Sequence, residues 1–338
     1  MPTFPSDDLT LAVTLGDPAG IGPEVALKAL HQFLPRSRAR VLLLGKEGFY
    51  RNLAKTLRLP VSPRISFCFD REFPKKIVRG RSGIALSRLA ARSIELAVSL
   101  AIGGRAQAIV TAPVNKAGLK KAGFDIPGHT ELLATLSKTK RYEMMLVGGP
   151  LRVVPVTRHM ALKDVPGRIS AKRVEEAILL TDRELRGSFG VKKPRIVVCG
   201  LNPHAGEEGN FGREEIQEIT PGVRAARKKT DAEIVGPLSP DALFYDAYRG
   251  RYDAQICMYH DQGLIPLKMI SRGAGVNVTL GLPFVRTSPD HGTAYDIAGK
   301  FRADPGSMRE ALELAVKLCE NRFRLNPSGR LRRPPPLR

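Results

Sequence analysis

Residues 9–33, LTLAVTLGDPAGIGPEVALKALHQF, contain a strand, a tight turn and a helix in that order. Leu9–Leu15 is an apolar run of strand length, and the next seven residues include three glycines. Pro23 suits the first turn of a helix, which we expect to run to about Phe33. A strand that leads directly into a helix is the repeating unit of α/β proteins.

The same alternation continues along the chain. Strands are predicted at Arg40–Leu44, Ala108–Ala112, Met144–Val147, Leu151–Val156, Arg195–Cys199, Ala254–Met258 and Val276–Leu280. Helices are predicted from Glu47, over Ile84–Ile102, after the turn at Gly128, from the cap Ser170 to about Leu185, and over Glu214–Ala226 and Ser307–Phe323. Gly148-Gly149-Pro150 predicts a hairpin between the third and fourth of these strands. The pattern indicates an α/β protein with a largely parallel sheet.

The glycine-rich turn at Gly16–Gly22 allows two interpretations. Its spacing is not GxGxxG, so it is no dinucleotide fingerprint. A glycine-rich turn before a helix can hold an anion on free N–H groups, or it can simply be a tight strand-to-helix turn. The helix over Ile84–Ile102 has a plainer pattern: Ile84, Leu89, Ile94, Ala97, Val98 and Ala101 form an apolar stripe that we assign to the core.

Length and composition are those of an ordinary globular protein. The chain has 338 residues, 43% of them apolar, and its length predicts about two domains. It lacks an uninterrupted apolar run long enough for a transmembrane helix, and Asp7 and Asp8 occupy the place of a signal peptide's basic segment. We therefore expect a cytoplasmic protein. The four cysteines form no CxxC, so we expect buried free thiols rather than disulfides or a cysteine zinc site.

The net charge of +21 admits a nucleic-acid binder. However, the basic residues are spread along the whole chain, and there is no tryptophan for base stacking. A basic surface that attracts small anionic substrates explains the charge equally well, so nucleic acid is unlikely as a partner.

Three histidines occupy equivalent positions. His159, His204 and His260 each follow shortly after an apolar strand, and ligands of open α/β sheets bind just beyond the carboxyl ends of strands. Three histidines with an open fourth position can form a catalytic zinc site, and imidazole also suits cobalt or iron. Asp241 and Asp261 are candidate proton acceptors, or partners that orient these histidines.

A second cluster is cationic and polar: Lys268, Asn277 and Arg286, together with His129 and Thr130. Arginine and lysine bind phosphate or carboxylate groups. Asn277 lies between two valines of a predicted strand, where an unpaired amide would be costly. GxSxG, GxxxxGK[ST] and HExxH are all missing, which disfavours several common enzyme classes.

Several motifs together resemble the 4-hydroxythreonine-4-phosphate dehydrogenase family of vitamin B6 biosynthesis. They are GDPAGIGPE, TAPVNK, GHTE, LNPHAGE, MYHDQGLIPLK and VNVTLGLPFVRTSPDHGTAYDIAGK, spread from about Leu11 to Phe323. The resemblance implies a fold similar to the isocitrate and isopropylmalate dehydrogenases, with two α/β/α domains, a cleft between them and a homodimeric assembly. One domain would comprise residues 1–130 and 285–325 on the cofactor side. The other would comprise residues 131–284 with the metal, the substrate and the dimer interface, and 326–338 would be a disordered tail.

The resemblance also implies roles for individual residues. His159, His204 and His260 fall on three ligands of a divalent metal (zinc, magnesium or cobalt), with His260 supplied by the partner subunit. His129, Thr130, Lys268, Asn277 and Arg286 fall on substrate-binding positions. Asp290, His291, Gly292 and Thr293 resemble a loop that binds the adenosine side of NAD, so NAD, or else NADP, would bind without GxGxxG.

The implied reaction is metal-assisted hydride transfer from C3 of the substrate to the nicotinamide, followed by loss of carbon dioxide. Asp241, Asp261 and Lys268 are the candidate proton acceptors. Relatives that act on 4-phospho-erythronate or 4-phospho-threonate share the same motifs, and a metal hydrolase would use the same histidines, so both remain alternatives. The chain departs from the family pattern at Glu207-Glu208-Gly209, where many members have glycine in place of a glutamate, and in its Arg- and Pro-rich tail.

Overall fold

The computed structural model describes residues 9–69, 72–74, 76–124 and 128–323. Asp7, Asp8 and the tail predicted at 326–338 lie outside these ranges. The strands are β1 (Thr10–Val13), β2 (Arg40–Leu43), β3 (Ile65–Phe67), β4 (Ala108–Val110), β5 (Glu143–Gly148), β6 (Leu151–Pro155), β7 (Arg195–Cys199), β8 (Glu233–Leu238), β9 (Ala254–Cys257), β10 (Val276–Leu280) and β11 (Val285–Pro289). The helices are α1 (Gly22–Phe33), α2 (Glu47–Leu57), α3 (Ile84–Ile102), α4 (Lys116–Lys121), α5 (His129–Leu136), α6 (Ala171–Gly187), α7 (Thr220–Arg227), α8 (Pro240–Tyr248), α9 (His260–Ser271) and α10 (Gly306–Phe323).

The chain folds into two compact units. The first comprises Met1–Lys140 and Leu282–Arg338, and the second comprises Arg141–Gly281. Both are mixed α/β structures, which confirms the predicted fold class. No helix among the described residues has the length and apolar character needed to cross a membrane.

The first unit is built on parallel strands in the order β3-β2-β1-β4-β11. The centre of this sheet is fully buried because Leu11, Val13 and Ile109 have no exposed surface. In α3 the predicted apolar stripe is buried from Leu89 to Val98, whereas Ala101 is half-buried and Ile84 is 49% exposed. Ile84 is the first residue of the helix, so assigning it to the core was wrong.

The second unit has strands in the order β10-β5-β6-β9-β7-β8. Strands β5 and β6 form the predicted antiparallel hairpin, and β10 pairs antiparallel with β5. Strands β6, β9, β7 and β8 run parallel to one another. Ser170 caps α6 as predicted, since its side chain accepts a hydrogen bond from the Arg173 N–H. Cys199 and Cys257 are buried free thiols, also as predicted.

Candidate active site

The three candidate metal ligands all follow parallel strands of the second unit. His159 follows β6, His260 follows β9 and His204 follows β7, and these three strands are neighbours in the sheet. Their carboxyl ends therefore lie along one edge, where open α/β sheets bind ligands. Sheet topology thus gives a physical reason for treating the three histidines as a group.

Within one chain, only two of the histidine rings come close together. The ring centroids of His159 and His260 are 5.6 Å apart. His204 does not join them, and over the described ranges no three histidine, cysteine or carboxylate side chains are grouped closely enough to hold a metal ion.

Carboxylates hold the Nδ1 atoms of two of these histidines. Glu207 Oε1 lies 2.9 Å from His204 Nδ1, and Asp261 Oδ1 lies 2.7 Å from His260 Nδ1. The hydrogen bond to Glu207 raises the pKa of His204 above its ordinary value. In both pairs the carboxylate engages Nδ1, so Nε2 is the ring nitrogen that would bind a metal, as in metal-bound histidines oriented by a carboxylate. The donor set therefore fits a metal that prefers imidazole, such as zinc or cobalt, better than it fits magnesium.

The His204 loop has an unusual backbone. All five residues from His204 to Glu208 have positive φ angles, between 43° and 84°. Left-handed backbone is unfavourable for residues other than glycine, and it persists only where surrounding contacts impose it.

Glu215 provides those contacts. Its buried carboxylate accepts hydrogen bonds from the Leu201 and Asn202 N–H groups, at 2.7 and 2.8 Å, and from Asn202 Nδ2 at 2.9 Å. Glu215 begins a short π-helical turn, Glu215–Ile219, a feature often found at functional sites. It therefore positions the loop that carries His204.

A cavity of about 630 Å³ in the second unit adjoins this loop. It is lined by His204, Asp241 and Asp261, with Tyr259, Gln262 and neighbouring apolar residues. Asp241 accepts hydrogen bonds from the Ser239 hydroxyl and the Ala242 N–H, and these lower the pKa of its carboxyl. Lys268 is exposed on α9, and Asn277 is half-buried on β10.

In the first unit, Lys116 and the buried Arg286 lie near the half-buried His129, and we call this group the cationic pocket. Arg286 lies in the middle of β11, is 2% exposed, and donates to Thr111 Oγ1 at 2.7 Å. Burial lowers the pKa of Arg286 to about 10, partly offset by Glu131. Burial, Arg286 and Lys116 together lower the pKa of His129 from 6.5 to about 3, so its imidazole is neutral near pH 7.

His129 is the first residue of α5, next to the buried Thr130. Its Nε2 atom is buried and has no hydrogen-bond partner among the described residues. An unsatisfied buried nitrogen at a helix N-terminus, close to two cations, is suited to an anionic or hydroxyl-bearing ligand.

The loop after β11 contains the predicted cofactor residues. Asp290 N–H donates to Ser307 Oγ at 3.1 Å, which ties the start of the loop to α10. His291 Nε2 is buried without a partner in the described structure. Gly292 is exposed, and a side chain there would meet open space. An orphaned imidazole nitrogen beside open space fits a polar ligand such as a nucleoside, and Thr293 lies next to it in the loop.

Three residues of these sites were not identified from the sequence. Lys116, Glu207 and Glu215 act through partners that are distant in sequence or through an unusual backbone. TAPVNK did signal that Lys116 belongs to a distinctive motif, but the motif alone does not predict that the lysine approaches His129.

A mixed α/β fold with imidazoles at one strand edge and a cationic cluster is compatible with several metal-dependent enzymes, and the comparisons with known proteins show that the class is that of the dehydrogenases. The chain is similar to a 4-hydroxythreonine-4-phosphate dehydrogenase from Klebsiella pneumoniae, with 40% identity, a TM-score of 0.83, and coverage of 92% of this chain and 100% of that one.

The chain belongs to the family described as "Pyridoxal phosphate biosynthetic protein PdxA", whose model matches residues 58–315. A 4-hydroxythreonine-4-phosphate dehydrogenase from Desulfosudis oleivorans is 44% identical over 330 residues, which cover 90% of this chain and 95% of that protein. A D-threonate 4-phosphate dehydrogenase from Salmonella typhimurium is 42% identical over 327 residues, which cover 92% of this chain and 99% of that protein. The predicted family is confirmed.

Proposed function

We propose that this protein oxidises 4-phosphooxy-L-threonine (4-hydroxythreonine 4-phosphate) at C3 with NAD+ or NADP+. The product, 2-amino-3-oxo-4-phosphooxybutanoate, is a β-keto acid that loses carbon dioxide to give 3-amino-2-oxopropyl phosphate, a precursor of pyridoxine 5'-phosphate. The observation that carries the proposal is the 44% identity, over nearly the whole chain, to a relative with that name. The proposal includes a cytoplasmic location, where nicotinamide cofactors are available.

The cationic pocket of the first unit would bind an anionic group of the substrate. Arg286 offers a rigid, permanently charged guanidinium, and Lys116 adds a second charge near it. The neutral His129 can accept a hydrogen bond from a hydroxyl or donate one to a phosphate oxygen, and Thr130 follows it. Lys268 and Asn277 are also proposed as substrate-binding residues.

His159, His204 and His260 would hold one divalent metal ion. Their imidazole donors favour zinc or cobalt over magnesium, which prefers oxygen ligands. Such an ion, when bound, polarises a substrate oxygen and lowers the pKa of a hydroxyl. Glu207 and Asp261 would keep the Nε2 atoms of His204 and His260 directed at the ion.

Asp241, Asp261 and Lys268 are the three candidate proton acceptors. Hydrogen bonds lower the pKa of the Asp241 carboxyl, which makes it a weak base. The Asp261 carboxylate is already hydrogen-bonded to His260. Lys268 lies two helical turns after Asp261 on α9, and residues seven apart share one face of a helix. It therefore lies on the side of α9 that carries Asp261.

Asp290–Thr293 would contact the adenosine side of the cofactor. The support is the buried, unpaired Nε2 of His291 and the open space beside Gly292. In this arrangement the cofactor is bound by a loop after a strand rather than by a GxGxxG turn.

A homodimer in which His260 enters the partner's site is part of the proposal. Exposed apolar side chains follow each candidate ligand in the chain: Met160 and Leu162 after His159, Phe211 after His204, and Ile265 and Met269 after His260. A surface with this many exposed apolar residues around a site is typical of one that another protein covers.

A second candidate substrate is D-threonate 4-phosphate, because a relative with 42% identity carries that name. The two substrates share a phosphate, a C3 hydroxyl and a carboxylate. They differ at C2, which bears an amino group in one and a hydroxyl in the other. A third compound, 4-phospho-D-erythronate, differs from 4-phospho-D-threonate in the stereochemistry of one hydroxyl. It should be tested as a substrate beside the other two.

The reaction class is tested by incubating the protein with 4-phosphooxy-L-threonine, NAD+ and a divalent metal. We expect NADH and carbon dioxide to form in equal amounts, with no inorganic phosphate. Phosphate release without NADH would mean that the histidines activate water as in a metal hydrolase, and the proposal would be wrong. NADP+ is tested in parallel.

A further inference from the structure

Tyr295 lies at the centre of a hydrogen-bonded group in the first unit. Its hydroxyl donates to Asp17 Oδ2 through a short hydrogen bond. It also accepts from Asn115 Nδ2 at 3.0 Å. The orientation of the Asn115 amide is fixed, because its Oδ1 accepts from the Gly118 N–H at 2.8 Å and caps α4. These contacts join the end of the 290–294 loop to two segments that are distant in sequence.

Asp17 is the buried partner of this group. It is 1% exposed, and its other oxygen accepts from the Ala19 N–H at 2.8 Å. A buried carboxylate needs hydrogen-bond donors to stay ionised without a large free-energy cost. Burial and the contact with Asp17 raise the pKa of Tyr295, so the phenol keeps its proton and donates it.

The turn that contains Asp17 does not offer its N–H groups to an external anion. Asp17 N donates to Pro113 O at 2.8 Å, Gly20 N to Asp17 O at 3.0 Å, and Ile21 N to Thr293 O at 3.0 Å. The buried carboxylate of Glu24 also lies in the first turn of α1. Of the two interpretations of this glycine-rich turn, the structure supports the tight structural turn.

The turn instead supports the loop that contains Thr293. A side chain on Gly20 would come within 2.8 Å of Thr293 O and 3.0 Å of Thr293 Cβ. Only glycine allows so close an approach, and the contact places the backbone of the loop directly on the turn. On the other side, a side chain on Gly80 would come within 2.9 Å of Tyr295 O. The loop is therefore fixed at Thr293 and Tyr295, while His291 and Gly292 lie between Thr293 and the strand.

Asn115 connects the same group to the cationic pocket. It caps α4, and the first residue of α4 is Lys116, which lies close enough to His129 to lower its pKa. The side chain of Lys116 also approaches Gly128, directly before α5. One asparagine therefore links the loop after β11 to the pocket of Arg286 and His129.

We infer that Tyr295, held by Asp17 and Asn115, is a positioning residue that fixes the 290–294 loop in the conformation that binds the dinucleotide. The inference rests on the proposed function, since it assumes that this loop contacts the cofactor. Tyr295 acts through the backbone of the loop. Its contact with Asn115 keeps the position of the loop fixed relative to Lys116. The glycine-rich turn is then a support for the cofactor loop rather than a binding site.

The test compares Tyr295→Phe with Tyr50→Phe in the full-length, metal-loaded protein. Phenylalanine keeps the ring and removes only the hydroxyl. The hydroxyl of Tyr50 is buried without a partner among the described residues, so its removal breaks no hydrogen bond there. Isothermal titration calorimetry with NAD+ gives the dissociation constant, and hydrogen–deuterium exchange reports the loop amides.

We expect Tyr295→Phe to raise the dissociation constant for NAD+ about tenfold, because a displaced 290–294 loop no longer matches the shape of the cofactor. Amides of residues 290–296 should exchange faster, and KM for NAD+ should rise while kcat changes little. Tyr50→Phe should leave the dissociation constant, the amide exchange and KM for NAD+ unchanged. Asp17→Asn, which keeps an acceptor for the phenol, should have a smaller effect in the same direction. It also provides the test if Tyr295→Phe is unstable.

Wild-type affinity and exchange in Tyr295→Phe would overturn this inference while leaving the proposed function intact. Equal losses in Tyr295→Phe and Tyr50→Phe would also overturn it, because the effect would then be a general consequence of altering a buried ring. If the wild-type protein itself binds neither NAD+ nor NADP+, the proposed function fails and the inference fails with it.

Discussion

Arg286 and His129 illustrate how burial decides the charge of a binding pocket. Arg286 is buried and His129 is half-buried with its Nε2 atom enclosed, yet the first stays charged and the second does not. Arginine starts from so high a pKa that lowering it to about 10 leaves the guanidinium protonated at pH 7. Histidine starts at 6.5, and the same environment makes it neutral. The pocket thus combines a fixed cation with an uncharged hydrogen-bonding group.

His129 should make the protein less stable in acid. Its pKa is about 6.5 when unfolded and about 3 when folded, so between these values the unfolded chain binds the additional proton. Stability linked to His129 is therefore fully present above pH 6.5 and is lost as the pH falls towards 3, by at most about 1.4 kcal/mol per pH unit. Urea unfolding at pH 7.5 and pH 5 should show a larger loss for wild type than for His129→Gln. Equal losses would contradict a neutral, buried His129.

Arg286→Lys should weaken substrate binding although it keeps the charge. Lysine cannot reproduce the planar set of donors of a guanidinium. Hydrogen bonds to charged groups contribute about 1.5–3 kcal/mol, so kcat/KM should fall about 10- to 100-fold, mostly through KM. Arg195→Lys, at a half-exposed arginine paired with Asp253, is the control and should behave as wild type. A normal KM in Arg286→Lys would show that the pocket does not bind the substrate.

Glu207 connects the motif of the His204 loop to a candidate metal ligand. It is the last residue of the LNPHAGE motif, and its carboxylate lies 2.9 Å from His204 Nδ1. The left-handed backbone over His204–Glu208 brings the two side chains together. This local backbone depends on Glu215, which contacts the loop from the π-helical turn.

Glu207→Gln should lower the affinity for a divalent metal about tenfold, since such outer partners typically contribute 10- to 100-fold. Titration of metal-free protein with Co²⁺, followed by the visible absorption of the bound ion, measures this affinity directly. Glu208→Gln is the matched control, because Glu208 is the next residue and is exposed. If both variants bind Co²⁺ as tightly as wild type, Glu207 does not orient a ligand.

Elements with a clear periodic pattern could be predicted from the sequence. Helix α3 begins and ends at the predicted residues, and the β5–β6 hairpin and the Ser170 cap have the predicted form. Such elements depend on local patterns of apolar residues and on local capping.

Other elements could not be predicted because tertiary contacts override their local sequence. Helix α9 contains Gly263 and Pro266, both poor helix residues, yet it packs Leu264 and Leu267 into the core. Strand β11 was missed because Arg286 interrupts its apolar pattern, although that arginine is fully buried. Strand β8 contains Gly236-Pro237, which reads as a turn.

The candidate site was partly predictable for a similar reason. The histidines were recognisable because each follows a strand, and strand ends are visible in the sequence. The Nδ1 partner Glu207 and the loop support Glu215 were not, because their roles depend on a backbone conformation that no local pattern encodes. Tyr295 was missed because its partners, Asp17 and Asn115, are 278 and 180 positions away.

At the scale of the whole molecule, the question is whether one chain or two chains supply the three ligands of each metal site. If His159 and His204 come from one chain and His260 from its partner, each active site is shared. His204→Ala and His260→Ala would each be inactive alone. Mixed under conditions of subunit exchange, half the dimers would be heterodimers with one intact site, so about a quarter of wild-type activity should return.

A matched mixture provides the control for this complementation. His204→Ala mixed with His159→Ala should recover nothing, because both replaced residues belong to the same half of the shared site. Recovery in neither mixture would place all three ligands in one chain. Recovery in both would mean that the ligands are divided differently from the proposal.

The central claim concerns which phosphorylated hydroxy acid the protein oxidises, and relative kcat/KM values test it most directly. NADH formation is measured with 4-phosphooxy-L-threonine, 4-phospho-D-threonate and 4-phospho-D-erythronate under identical conditions. The proposal predicts the highest kcat/KM for 4-phosphooxy-L-threonine, by at least about tenfold, because a site built to bind an amino group leaves buried polar atoms unpaired with the hydroxy analogue. A higher kcat/KM for either hydroxy acid would contradict it and would assign the protein to sugar-acid metabolism.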